Sequence, residues 1–187
     1  MRNIPWLIGF SLVSMAALAP LRVSAATRAG ESNPQVSVTR GVAGHGARAS
    51  ATIRIHAGRK SVWAVLTSCR DAVQIVPHLR RCDVEQTAPD GSWQRIKQVV
   101  GYPWYLPRVS YVVKASYRVP ERIGFEEVQG DFKVLRGSWY LRRDGSVTIA
   151  HYEFDVVPPF WIPAWVIRME LTRDLPKMLR ALRARAE

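Results

Sequence analysis

Short runs of alternating apolar and polar residues fill the middle of the chain, and a helical period replaces them at its end. Thr52-Ile53-Arg54-Ile55-His56 alternates and predicts a strand with Ile53 and Ile55 inward. Val62, Trp63, Val65 and Leu66 then recur at helical spacing between Gly58 and Ser68. A second short helix is expected from about Asp71 to Val76, stopped by Pro77. Strands follow, separated by turn signals. Arg81 to Thr87 leads into Asp90-Gly91, a strong hairpin turn. Trp93 to Tyr102 places Ile96, Gln98, Val100 and Tyr102 on one face. Val109, Tyr111, Val113, Ala115, Tyr117 and Val119 stand opposite Arg108, Ser110, Lys114, Ser116 and Arg118. Ile123 and Phe125 open the next strand, and Gly130 ends it. Phe132 to Arg143 carries Leu135, Trp139 and Leu141 on its apolar face. After Asp144-Gly145, Val147 to Val157 turns Ala150, Tyr152, Phe154 and Val156 inward.

The last stretch starts with the apolar run Pro158-Pro159-Phe160-Trp161-Ile162-Pro163 and continues as one helical pattern. Leu171, Leu175, Met178 and Leu182 form a single stripe, with most of the basic side chains off it. Such a helix needs a partner for its apolar face. Pro176 is expected to kink or break it, with Asp174 capping the restarted part. Residues 158–170, including Trp165 and Met169, are read as shaping a cavity mouth, and 171–185 as locking the helix onto the sheet. The fold class is therefore α+β: a curved antiparallel sheet of about seven strands wrapped round a long C-terminal helix, with two short helices between strands 1 and 2. Gly101, Gly130 and Gly137 are candidate bend or bulge points.

The chain has 187 residues, 48% hydrophobic and 22% charged, which fits one globular domain rather than a disordered chain. Residues 1–25 read as a signal peptide: Arg2 precedes an apolar run from Trp6 to Leu18, and Val23-Ser24-Ala25 offers a small-x-small cleavage site. That run is short of the roughly 20 residues of a membrane span. Residues 26–46 form a linker, or an edge strand at 35–40, and residues 47–187 the domain. The location expected is export, periplasmic or secreted. The formal charge is +12, and the leader holds only Arg2 and Arg22 of it. Export argues against nucleic acid and leaves anionic membrane surfaces or acidic polymers as partners. Arginines that merely solubilise the surface are the alternative. Two cysteines in an exported chain, Cys69 and Cys82, invite a disulfide; two buried thiols are the alternative.

Ser61-Val62-Trp63-Ala64-Val65-Leu66-Thr67, Ile75-Val76-Pro77, Gly130-Asp131-Phe132, Gly137-Ser138-Trp139-Tyr140-Leu141, Tyr152, Ile162-Pro163 and Leu175-Pro176 together resemble the START-like (SRPBCC) superfamily. The group in question is that of polyketide cyclase/dehydrase and coenzyme Q-binding proteins, and the resemblance covers roughly residues 47–186. It implies a helix-grip fold with a hydrophobic cavity between sheet and helix, and a lipid, sterol, quinone or polyketide as ligand. It carries over no catalytic residue.

The inward aromatic and polar residues are the candidate cavity: Gln98, Trp104, Tyr111, Phe125, Glu127, Trp139, Tyr152, Phe154, Trp161, Trp165 and Leu171. An ordinary packed core is the alternative for each. Glu127 shares the apolar face of Ile123 and Phe125, so burial would raise its pKa. Phe160 to Ile162 would line the mouth, touch a bilayer or fold back on the core. No metal site is expected, because His45, His56, His78 and His151 are scattered. Phosphate-loop and dinucleotide motifs are absent, so no cofactor is expected. The reading is a binding protein for a small hydrophobic ligand, taken as a monomer. A cyclase or dehydratase using Glu127 or a cavity tyrosine, and a peripheral protein on anionic membranes, are the alternatives.

Overall fold

A computed structural model describes residues 33–41, 45–101, 108–159 and 162–187. The leader, Tyr102 and Trp104, Phe160 and Trp161 lie outside the described residues. In chain order the elements are β1 (Gln35–Arg40), β2 (Ala47–Ile55), α1 (Arg59–Leu66), α2 (Cys69–Ile75), β3 (Leu79–Thr87), β4 (Trp93–Val100), β5 (Val109–Arg118), β6 (Arg122–Gln129), β7 (Val134–Asp144), β8 (Val147–Val157) and α3 (Ala164–Ala186). The strands form one antiparallel sheet in the order β1-β2-β8-β7-β6-β5-β4-β3. The expected edge strand at 35–40 is β1, which brings the count to eight and puts the two short helices between β2 and β3.

The period-2 pattern sets which face is dry. In β2, Ala47, Ala49, Ala51, Ile53 and Ile55 are all buried. Their partners across the ladder, Val156, Phe154, Tyr152 and Ala150, continue the same face into β8. The register carries it on through Leu135, Gly137, Trp139 and Leu141 of β7 to Ile123 and Phe125 of β6. The α3 helix fills the hollow of this face. Leu179 and Leu182 have no solvent exposure and pack in one cluster with Ile53, Ile55 and Val62. Each such leucine contributes about 1.5–3 kcal/mol. The end of the helix is held twice more: Arg185 Nε donates to Asp71 Oδ1 at 2.6 Å, and the His56 N–H donates to Glu187 Oε1 at 2.8 Å.

Two expectations about α3 need correction. The helix runs unbroken through Pro176. Proline removes one N–H and costs about 3 kcal/mol, but Leu175, Met178, Leu179 and Leu182 are buried on either side of it and hold both halves in place. Asp174 does not cap a second helix; its carboxylate bonds Lys177 Nζ at 3.1 Å and meets His78 Nε2 at 3.1 Å. Of the glycines proposed, Gly130 lies in a bend just past β6, while the bulges of the sheet fall elsewhere. Register shifts fall between Leu79 and Arg81, between Val84 and Gln86, and between Val112 and Val113.

The short helices have local causes. Ser68 caps α2 by accepting the Asp71 N–H at 3.2 Å, and Pro77 follows its end. Cys69 and Cys82 form a disulfide with a Cα–Cα distance of 5.2 Å, well inside the usual range. The bridge ties the start of α2 to β3.

Candidate functional site: an apolar cavity between sheet and helix

Strands β4–β8 of the sheet, the end of α2 and α3 line a partly open cavity of about 260 Å³. That is just under the roughly 300–1,000 Å³ of small-molecule pockets. The sheet wall is aromatic. Phe125, Tyr152 and Phe154 lie side by side with ring centroids 5.9–6.2 Å apart. Trp139 sits 4.5 Å from Tyr152, and Tyr111 meets Phe132 edge-on at 5.6 Å. The opposite wall is aliphatic, from Ala72, Ile75 and Val76 of the α2 end and from Ile167, Leu171, Leu175 and Met178 of α3.

Of the residues expected from sequence, Gln98, Tyr111, Phe125, Trp139, Tyr152, Phe154 and Leu171 line this cavity together. Trp104 and Trp161 lie outside the described residues. Trp165 does not belong to the cavity: it is 60% exposed, as is Met169 at 47%. The reason is helical phase. The buried stripe at the start of α3 is Val166, Ile167 and Glu170, and Trp165 and Met169, four residues apart, share the face turned to solvent. Glu127 stands at the margin. Its Oε1 accepts the Phe132 N–H at 3.3 Å, and its Oε2 is buried without a hydrogen bond among the described residues. Burial raises its pKa, against the lowering effect of the Phe132 N–H. It is not among the residues that line the cavity.

Polarity enters the cavity at a few points. The Tyr152 hydroxyl is fully buried and its pKa is driven up by desolvation, so it stays a neutral phenol. Tyr117 is pushed up to about 12 by burial, and its hydroxyl donates to Gln94 Oε1 at 2.7 Å.

The cluster that sequence reasoning missed is on the helix side. His78 Nε2 lies 3.1 Å from Asp174 Oδ2 and 3.9 Å from Glu170 Oε2, and all three residues line the cavity. Glu170 is only 4% exposed. A signal was present: Glu170 and Asp174 are spaced i, i+4 within the same stripe as Ile167, Leu171, Leu175 and Met178, where apolar residues belong. His78 gave no comparable signal, since nothing in its local sequence points to α3, 90 residues on. The three ligand atoms lie within 4.8 Å of one another, the donor types a divalent metal uses. Against a metal, Arg173 reaches Glu170 at 3.2 Å and Lys177 reaches Asp174 at 3.1 Å, which already balances both carboxylates.

A second, larger hollow of about 660 Å³ lies on the outer face of the sheet. It is open and polar, with charges of both signs such as the pair Arg136–Asp155 at 3.8 Å, so it reads as a solvated surface.

The model of the polyketide cyclase/dehydrase and lipid transport family matches residues 55–183. The chain belongs to this family. Solved structures similar to this family member share its fold at low identity. A STAR-related lipid transfer protein from Xanthomonas axonopodis aligns at TM-score 0.72 and 17% identity, covering 82% of this chain and 93% of that one. The Zhui aromatase/cyclase from Streptomyces sp. R1128 aligns at 0.63 and 14%, covering 74% and 92%. Human STARD10 aligns at 0.64 and 10%, covering 81% and 69%. No curated protein matches in sequence. The fold is thus the START-like helix-grip fold.

Proposed function

We propose that this protein is an exported binding protein for a small hydrophobic ligand of lipid, quinone or polyketide type, held between the sheet and α3. The observation that carries the reading is the apolar cavity itself: about 260 Å³, walled by Phe125, Trp139, Tyr152 and Phe154 on one side and by Leu171, Leu175 and Met178 on the other. A core packed to ordinary density leaves few voids larger than a water. The family description, with its lipid transport, and the lipid transfer protein among the similar structures support the same class. Export is supported by the leader-like residues 1–25 and by the Cys69–Cys82 bridge, a bond of oxidising compartments. Native mass spectrometry of the purified protein is expected to show a co-purified small molecule or uptake from an extracted lipid mixture. Neither signal, together with an unchanged melting temperature across a lipid panel, would overturn the reading.

A second reading concerns where the ligand comes from. Trp165 and Met169 are exposed side by side at the start of α3, with Arg168 between them in sequence and partly exposed. An amphipathic aromatic beside a cation suits an anionic bilayer surface. Flotation with vesicles of phosphatidylglycerol should carry the protein upward, and Trp165→Ser with high salt should abolish it. Flotation insensitive to both would exclude this reading.

A further inference from the structure

The walls of the cavity leave a buried polar group unengaged. On the helix side Glu170 and Asp174 are held by Arg173, Lys177 and His78, so their charges are already answered. On the sheet side the Tyr117 hydroxyl donates to Gln94. Tyr152 differs from both. It lines the cavity within the aromatic wall and is 8% exposed, yet its hydroxyl has no hydrogen-bond partner among the described residues. Its surroundings explain why. Across the ladders it faces Trp139 of β7 and Ala51 of β2, and the other rings against it are Phe125 and Phe154. None of these side chains carries an oxygen that could accept from it.

A buried donor without a partner costs stability, and native structures rarely keep one without a reason. Phenylalanine would give the same apolar surface without that cost, as it does at 125 and 154 on the same wall. The chemistry of the group is fixed. Burial holds its pKa far above the ordinary value, with Tyr111 adding to the shift, so it is a neutral phenol with a proton to donate. A carboxylate ligand would lose its water against this apolar wall, which selects an uncharged acceptor. Phe125 and Phe154 each lie within 18° of parallel to Tyr152, so the wall offers ring surface to a ring-containing ligand.

We propose that Tyr152 is the specificity-determining residue of the cavity: its hydroxyl donates to an uncharged acceptor oxygen on the ligand, a ketone, ester or quinone carbonyl, and so selects such molecules over hydrocarbons of the same shape. The inference rests on the binding reading above, and names the polar feature of the ligand and the residue that reads it. The volume of about 260 Å³ admits one compact molecule.

The test pairs tetralin with α-tetralone, the same bicycle without and with a ring ketone, titrated by calorimetry into the natural protein and into Tyr152→Phe. The variant removes only the hydroxyl. It should bind α-tetralone about three- to tenfold more weakly, the range of one neutral hydrogen bond, and tetralin at least as tightly as the natural protein does. Without ligand its melting temperature should be unchanged or higher, because an unpartnered polar group has been removed. Isotope-edited infrared spectra of α-tetralone on the natural protein give a second measure that needs no variant: the carbonyl stretch should lie below its position in an alkane solvent. Undiminished affinity of the variant for α-tetralone, an equal loss for both ligands, a carbonyl stretch at the alkane position, or a lower melting temperature of the ligand-free variant would each overturn the inference and leave the cavity reading intact. Binding of neither ligand to the natural protein would sink both.

Discussion

Phe125 and Gly137 face each other across the β6–β7 ladder, and the phenyl ring fills the space that a side chain at position 137 would take. A Cβ there would lie 2.5 Å from the ring's Cζ and would overlap the carbonyl oxygen of Glu153. The glycine is what lets Phe125 lie flat beside Tyr152 and Phe154 and leave the cavity open. Gly137→Ala should cost about 1–3 kcal/mol by overpacking. It should also weaken ligand binding as the ring is displaced. Urea denaturation and a ligand titration on the same preparation check both.

The disulfide holds α2 against β3, and Ala72, Ile75 and Val76, at the bridged end of the cavity, line it. Its reduction, or Cys69→Ser with Cys82→Ser, should destabilise the protein by about 3 kcal/mol, given a closed loop of this length. Thermal melts with and without reductant measure this. An unchanged melting temperature would show that the bridge adds nothing to the fold.

Leu182 has no exposure and lies at the centre of the helix–sheet contact. Leu182→Ala should cost about 2–5 kcal/mol through lost burial and the cavity left behind. The same substitution at Leu171, which is partly exposed and lines the ligand cavity, should cost less stability and more affinity. Chemical denaturation of the two variants separates a locking residue from a lining one.

Trp165 gives the opposite expectation. Being mostly exposed and outside the lining, Trp165→Ser should change stability by no more than about 0.5 kcal/mol and leave ligand affinity unchanged. A large loss of affinity in solution would return Trp165 to the cavity.

Two carboxylates should move stability in opposite directions with pH. Burial raises Glu127 above the ordinary value of 4.5, so the folded state keeps a proton that the unfolded chain releases. Its contribution is therefore most favourable below 4.5 and is lost as pH rises through the folded value. Glu127→Gln should flatten that fall. Asp71 is held below 3.8, chiefly by the Ser68 hydroxyl and then by Arg185, so its contribution is present above 3.8 and lost on acidification through the folded value. Asp71→Asn should remove that acid-side loss. Urea midpoints measured from pH 3 to 8 check both signs.

Much of the architecture was legible in the sequence because strand periodicity is local. Each alternating run, from Ile53-x-Ile55 to Tyr152-x-Phe154, states by itself which face is dry, and Asp90-Gly91 and Asp144-Gly145 state where the chain reverses. The stripe of Leu175, Met178 and Leu182 needed a sheet to bury it, and only the curved sheet was large enough. Six of the candidate cavity residues followed from strand parity, and Leu171 from the helical stripe. Helical phase at the start of α3, which turns Trp165 and Met169 to solvent and Glu170 in, was also present in the local pattern, as the i, i+4 pair Glu170 and Asp174 on the stripe. What it could not supply was the meeting of His78 with Glu170 and Asp174, or the fit of Phe125 against Gly137. Each depends on where distant segments are brought by packing of the whole sheet round the helix, and no window of neighbouring residues contains that information. The sequence by itself determined the faces, the turns and the need for a gripped helix; the tertiary structure decided which polar groups those faces bring together.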